Sequence, residues 1–137
     1  MNSTAAGEWL KKAYHDLTSA RILYEAHHFT DSIGVDLHYA IEKSFKALLA
    51  WENSRIPKTH DLPELHVLTE ELVPLEDDDI LFTANRYHIE MAYPQYDRGL
   101  PSREEVGEVL AFAENLFERV CICLKISKES IIHESEH

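Results

Sequence analysis

Apolar residues return at intervals of three and four along most of the chain, the spacing that places them on one side of an α-helix. Trp9, Ala13, Leu17, Ala20 and Tyr24 form the first such stripe and predict a helix from about Glu8 to His27. In the next segment Thr30 or Asp31 is a candidate cap, and Gly34, Leu37, Ile41, Phe45 and Leu48 fall close to one line. The opposite side of this second helix carries Asp36, Tyr39, Lys43 and Lys46, so it reads as a mixed, locally cationic face turned away from the core. Pro57 discourages helix at Ile56 and interrupts the period. Thr59, His60 or Asp61 can then cap a short helix bearing Leu62, Leu65, Leu68 and Leu72, with Pro63 tolerated in its first turn.

A fourth pattern, Ile80, Leu81, Ala84, Tyr87, His88 and Met91, follows the acidic run Glu76 to Asp79, and carboxylates favour a helix N-terminus. Pro94, Gly99 and Pro101 break the period before Ser102, with Glu105 three residues later, makes a capping-box start. Val106, Val109, Leu110, Ala113, Leu116, Phe117, Val120 and Leu124 give the fifth helix a broad apolar face. The predicted fold is all-α, an antiparallel up-and-down bundle of four long helices plus one short helix. Residues 1–7 read as an N-terminal tail, 8–127 as the bundle, and 128–137 as a polar C-terminal tail expected to fray.

At 137 residues, 45% hydrophobic and 28% charged, the chain suits one core and neither a disordered nor a fibrous protein. No apolar run approaches the roughly 18 to 20 residues of a membrane helix, and Met1-Asn2-Ser3-Thr4 does not open a signal peptide, so a soluble, cytoplasmic protein is expected. Cys121 and Cys123 lie about 200° apart on a helix and cannot pair or chelate together, which suits filler thiols in a reducing compartment.

Charge narrows the picture further. The net charge of -12 opposes broad nucleic-acid binding, so DNA is not an expected partner and any anion site must be local. Lys43, Lys46, Arg55 and Lys58 face only Glu52 between positions 43 and 60. From Asp61 to Asp79 there are carboxylates and no Lys or Arg.

Several stretches together carry a resemblance. They are Trp9-Leu10-x-x-Ala13-x-x-Asp16-Leu17-x-x-Ala20, Ala40-Ile41-Glu42-Lys43-Ser44-Phe45-Lys46-Ala47-Leu48-Leu49, Pro57-Lys58-Thr59-His60-Asp61-Leu62 and Tyr93-Pro94. In this order the chain resembles the HEPN family, in its group of stand-alone prokaryotic domains, from about Glu8 to Lys125. The resemblance implies a bundle of four or five helices, usually homodimeric and similar to the helical half of kanamycin-type nucleotidyltransferases. It also implies a separately encoded minimal nucleotidyltransferase as partner, in a toxin-antitoxin-like pair. Some members of the family are metal-independent RNA endonucleases with a signature of Arg, four to six residues, then His; others bind nucleotide or a partner protein. Where the family commonly reads Ala-Arg-Tyr-Pro this chain has Met91-Ala92-Tyr93-Pro94, so Ala92 replaces the usual cation, and Arg86 and Arg98 are the nearest substitutes.

Arg55-Ile56-Pro57-Lys58-Thr59-His60 meets the Arg-to-His spacing. As catalytic residues, Arg55 would steady a scissile phosphate and His60 would move the proton, since imidazole titrates near neutrality. Alternatively, His60 and Thr59 fasten the start of the third helix by bonds to backbone. Lys43, Lys46, Arg55, Lys58 and His60 make the candidate nucleotide-phosphate surface, and Tyr39 and Tyr93 are candidates for stacking a base, with Tyr87 and Tyr96 as further aromatics. The competing reading has Glu42 and Lys46 as an ordinary i, i+4 pair on a solvated face. No compact Cys/His spacing suggests a metal, and no cofactor is expected. Three functions follow: a homodimer that binds nucleotide phosphate or a minimal nucleotidyltransferase, a metal-independent RNA endonuclease, and a non-catalytic adaptor dimer.

Overall fold

Helix α1 (Ser3–Glu25) starts on Asn2, whose side chain accepts the Ala5 N–H at 3.0 Å. Its buried stripe is Ala6, Leu10, Ala13, Leu17 and Ala20, and the alternation of small and large residues lets a neighbouring helix approach closely. After a short turn, α2 (Thr30–Trp51) runs back along it. Then come α3 (Leu62–Thr69), α4 (Asp79–Asn85) leading into a 3-10 turn (Arg86–His88), α5 (Arg103–Leu124) and α6 (Lys128–Ser135). The computed structural model describes residues 1–89, 91–94 and 99–135, and the described residues contain no strand. None of their helices is long and apolar enough to cross a membrane.

Helix α2 is the central element, packed by α1, α3, α5 and the 3-10 turn. Its apolar line Ile33, Leu37, Ile41, Phe45 and Leu48 is fully buried, and from Ser44 to Ala50 every residue is buried. The side expected to face solvent is therefore covered in the second half of the helix. Gly34 makes a close approach: a Cβ there would lie 3.0 to 3.3 Å from ring carbons of Tyr87, tighter than ordinary packing. Tyr87 is itself buried, with its hydroxyl donating to Glu105 at 2.6 Å.

The long helices end alike. His27, Asn53 and Lys125 take positive φ values of 57°, 60° and 56° just past α1, α2 and α5. The following N–H groups turn back onto helix carbonyls, His28 to Leu23, Ser54 to Leu49 and Ile126 to Cys121, each at 3.0 Å. None of these terminators is a glycine, so only the loss of hydrophobic period marks the ends in the sequence.

Four details differ from the sequence expectation. Helix α1 begins at Ser3, because Asn2 caps it and Ala6 adds a turn to the buried stripe. The third helix stops at Thr69, and Leu68 is 51% exposed because the buried face runs through Leu62, Leu65, His66 and Thr69. The fourth segment is α-helical only to Asn85, whose side-chain carbonyl accepts the Leu62 N–H at 2.9 Å; beyond it the backbone tightens to 3-10. The polar end of the chain forms α6, where Ser127 accepts the Ser130 N–H and Ile131 is buried against the core. The capping box at α5 forms as expected on its Ser102 side, the hydroxyl accepting the Glu105 N–H at 3.0 Å. Cys121 and Cys123 are both free thiols.

Candidate functional site

His38, Glu42 and Lys46 stand four residues apart on α2 and so share one side of it. All are buried, His38 completely. The loop after α2 brings His60 onto this stripe, and the 3-10 turn brings His88 against it.

The hydrogen bonds assign the protons. His38 Nε2 lies 2.8 Å from the His60 carbonyl, which only accepts, so Nε2 carries the hydrogen. Its Nδ1 then presents a lone pair, has no hydrogen-bond partner, and lies 3.7 Å from Glu42 Oε1. Burial pushes His38 down to about 4, against the pull of Glu42, so it is neutral at physiological pH.

Glu42 Oε1 accepts from His60 Nδ1 at 2.8 Å, and Oε2 accepts from the Lys46 ammonium at 3.0 Å. Burial alone would raise the Glu42 carboxyl, but the bonds from His60 and Lys46 outweigh it and hold the group below the usual carboxylate range. With Nδ1–H committed to Glu42, Nε2 is the His60 ring nitrogen left for another partner. The His60 side chain remains 51% exposed.

His60 stacks on His88, their centroids 4.3 Å apart at 23°, and His38 is tilted against His88 at 4.9 Å and 32°. Tyr39 meets His38 and His88 edge-on, with centroids at 5.8 and 5.9 Å. Burial lowers the His88 imidazole, and the neighbouring His60 lowers it further.

The candidate cations separate into two kinds. Lys46 is 5% exposed, pairs with Glu42 and sits 5.7 Å from the Trp9 ring centroid, so it neutralises a buried carboxylate. Lys43 bonds Asp16 on α1 at 2.7 Å and lies 5.4 Å from the Tyr39 ring. Arg55 and Lys58 are exposed and have no ion pair or hydrogen bond to any described residue. The positive excess read along positions 43 to 60 is thus carried by the loop, since each helix lysine has a carboxylate of its own.

Capping of α3 does not involve the His60 ring. Asp61 is the cap, accepting the Glu64 N–H at 3.2 Å. Thr59 donates to the Glu64 carboxylate at 3.0 Å and accepts the Asp61 N–H at 3.1 Å. Of the stacking candidates, Tyr39 is engaged by two histidines and Lys43, while Tyr93 is 52% exposed. Ala92 and Arg86 are exposed, and Arg98 and Tyr96 lie outside the described residues. The exposed carboxylates of Asp77, Asp78 and Asp79 are the one group of possible metal ligands converging among the described residues. They form the turn into α4, Asp77 accepting the Asp79 N–H at 2.9 Å.

The HEPN domain sequence model matches residues 6–127. The chain belongs to the HEPN family. Its fold is similar to that in the crystal structure of TT1696 from Thermus thermophilus, with a TM-score of 0.74 over 86% of this chain and 97% of that one, at 22% identity. No curated protein matches. The HEPN match spans α1 to α5 and includes every residue of the histidine cluster.

Sequence reasoning named His60 and Lys46 but missed His38, Glu42 and His88 as members of one site. The i, i+4, i+8 spacing of His38, Glu42 and the named Lys46 was a readable signal for two of the missed three. Nothing local marks His88, which reaches the site through the path of the chain.

Proposed function

We propose that this HEPN protein binds the phosphates of a nucleotide at the loop joining α2 to α3, and that it acts as a homodimer with a separately encoded minimal nucleotidyltransferase. The observation that carries the reading is the pair Arg55 and Lys58, exposed and without a counter-ion among the described residues in a chain of net charge -12. A multivalent anion supplies what they lack. Two residues after Lys58, His60 presents a half-exposed ring fixed by Glu42. Lys43 and Lys46 contribute less, because each faces a carboxylate at 2.7 or 3.0 Å.

Isothermal titration with tripolyphosphate and with the nucleotidyltransferase tests this. Tripolyphosphate binds the wild type, is lost in Arg55→Glu and Lys58→Glu, and is nearly unaffected in Lys43→Ala. Folded protein that takes up neither titrant leaves the adaptor dimer as the better reading.

A second reading, metal-independent RNA cleavage, is favoured by one specific feature. The Glu42–His60 bond orients an imidazole as a general base or acid, and Arg55 is available for the phosphate. Incubation with RNA in chelator decides it: cleavage giving 2′,3′-cyclic phosphate ends and abolished in His60→Ala supports it, and cleavage that survives that substitution rules out His60.

A further inference from the structure

His60 is held on three counts. One ring edge is bonded to Glu42, one face lies on His88, and its backbone carbonyl is gripped by His38. That edge and that face are engaged and the side chain is still 51% exposed, from which we infer that the second ring face and the Nε2 edge are the open parts. The imidazoles therefore run from the fully buried His38, tilted against His88, to His60, which stacks on His88 and ends the series at the surface. Such a platform is already rigid, so a ligand that stacks on it need not order it first.

We propose that this open face of His60 is the base-recognition surface of the site, and that a purine base stacks on it as the next ring of the series. The inference rests on the phosphate-binding reading for what anchors the rest of the ligand. The flanking cations favour a nucleotide over an aromatic side chain of a protein, because Arg55 and Lys58 stand five and two residues before His60 and have no ion pair with any described residue. A phosphorylated base satisfies ring and cations together, and a purine presents the larger π-surface. Tyr39, the aromatic expected from sequence to stack a base, is instead turned edge-on to His38 and His88 behind the platform.

The experiment has two independent arms, both on the full chain. In the first, ATP and tripolyphosphate are titrated into wild type, His60→Ala and His60→Phe. ATP binds the wild type about tenfold more tightly than tripolyphosphate. His60→Ala brings ATP down to the tripolyphosphate level, and His60→Phe, which keeps a ring but no ring nitrogen, retains most of the preference. Equal affinity of ATP and tripolyphosphate for wild type, or a His60→Phe variant as weak as His60→Ala, overturns the proposal. In the second arm, adenosine, which has no phosphate, is titrated while the ring protons of His60 are followed by NMR. An upfield ring-current shift of those protons is expected, and its absence counts against stacking whatever tripolyphosphate does. Failure of tripolyphosphate to bind, with the adenosine shift present, removes the phosphate reading and leaves the stacking surface.

Discussion

Glu42 accepts a hydrogen bond from His60 Nδ1 at 2.8 Å while its other oxygen accepts from Lys46 at 3.0 Å, so one buried carboxylate joins a buried cation to a half-exposed imidazole. Lys46 and Glu42 are both buried and His60 is half-exposed, so neutralisation happens inside and an imidazole is left at the surface.

Removing the carboxylate strands Lys46. Glu42→Gln is expected to cost about 3 to 5 kcal/mol, as when one partner of a buried pair is lost. The double variant Glu42→Gln, Lys46→Met is expected to recover much of that, because both charges are then gone. Urea denaturation of the three proteins measures it, and a double variant no more stable than Glu42→Gln would contradict the pairing.

The His38 ring makes stability fall on mild acidification. Its folded value, about 4, lies below the ordinary 6.5, so between those pH values the unfolded chain binds the proton and the folded one does not. Stability is lost as pH drops through that window, by on the order of 3 kcal/mol. His88 acts in the same direction, being lowered as well. Glu42 follows at lower pH: its folded value is depressed, so its contribution is present above the unfolded carboxylate value and vanishes as pH falls through the folded one. Urea midpoints at pH 7 and pH 4.5 should differ more for wild type than for His38→Gln; equal losses in the two proteins would be inconsistent with a neutral buried His38.

Two glycines make a matched test of packing. Gly34→Ala places a methyl 3.0 to 3.3 Å from the buried Tyr87 ring and is expected to destabilise by about 1 to 3 kcal/mol. Gly7→Ala, in α1, meets nothing within 4 Å and is expected to stabilise by about 0.5 to 1 kcal/mol through helix propensity. Thermal unfolding of both decides it, and equal effects would be the wrong result.

The α5 cap offers a local check. Ser102→Ala removes the acceptor of the Glu105 N–H and should cost about 0.5 to 2 kcal/mol. Ser102→Gly should cost only a few tenths of a kcal/mol. Hydrogen exchange at Glu105 should accelerate in the alanine variant.

Much of the bundle is legible in the residues. The stripes of α1, α2 and α5 reappear as buried faces because apolar periodicity is a local property of the chain. The start of α5 is legible for the same reason, as a side chain meets a backbone group three residues away. The site is less so. His60 was visible as a candidate, but its partner Glu42 lies eighteen residues earlier and was read only as half of a helical pair with Lys46. Lys46 itself looked like a surface cation, since no local pattern reports that Trp9 covers it and that its pair with Glu42 is buried.

By itself the order of residues determined an all-helical chain, the apolar faces of its long helices and a locally positive stretch in an anionic protein. Each follows from periodicity, capping chemistry or charge counted along the chain. Tertiary structure alone decided which of those cations have no partner among the described residues and that His88 meets both His38 and His60. Those contacts join segments far apart in the chain, and they depend on where the loop after α2 lands and on the tightening of the backbone after Asn85, neither of which a repeat along the sequence encodes.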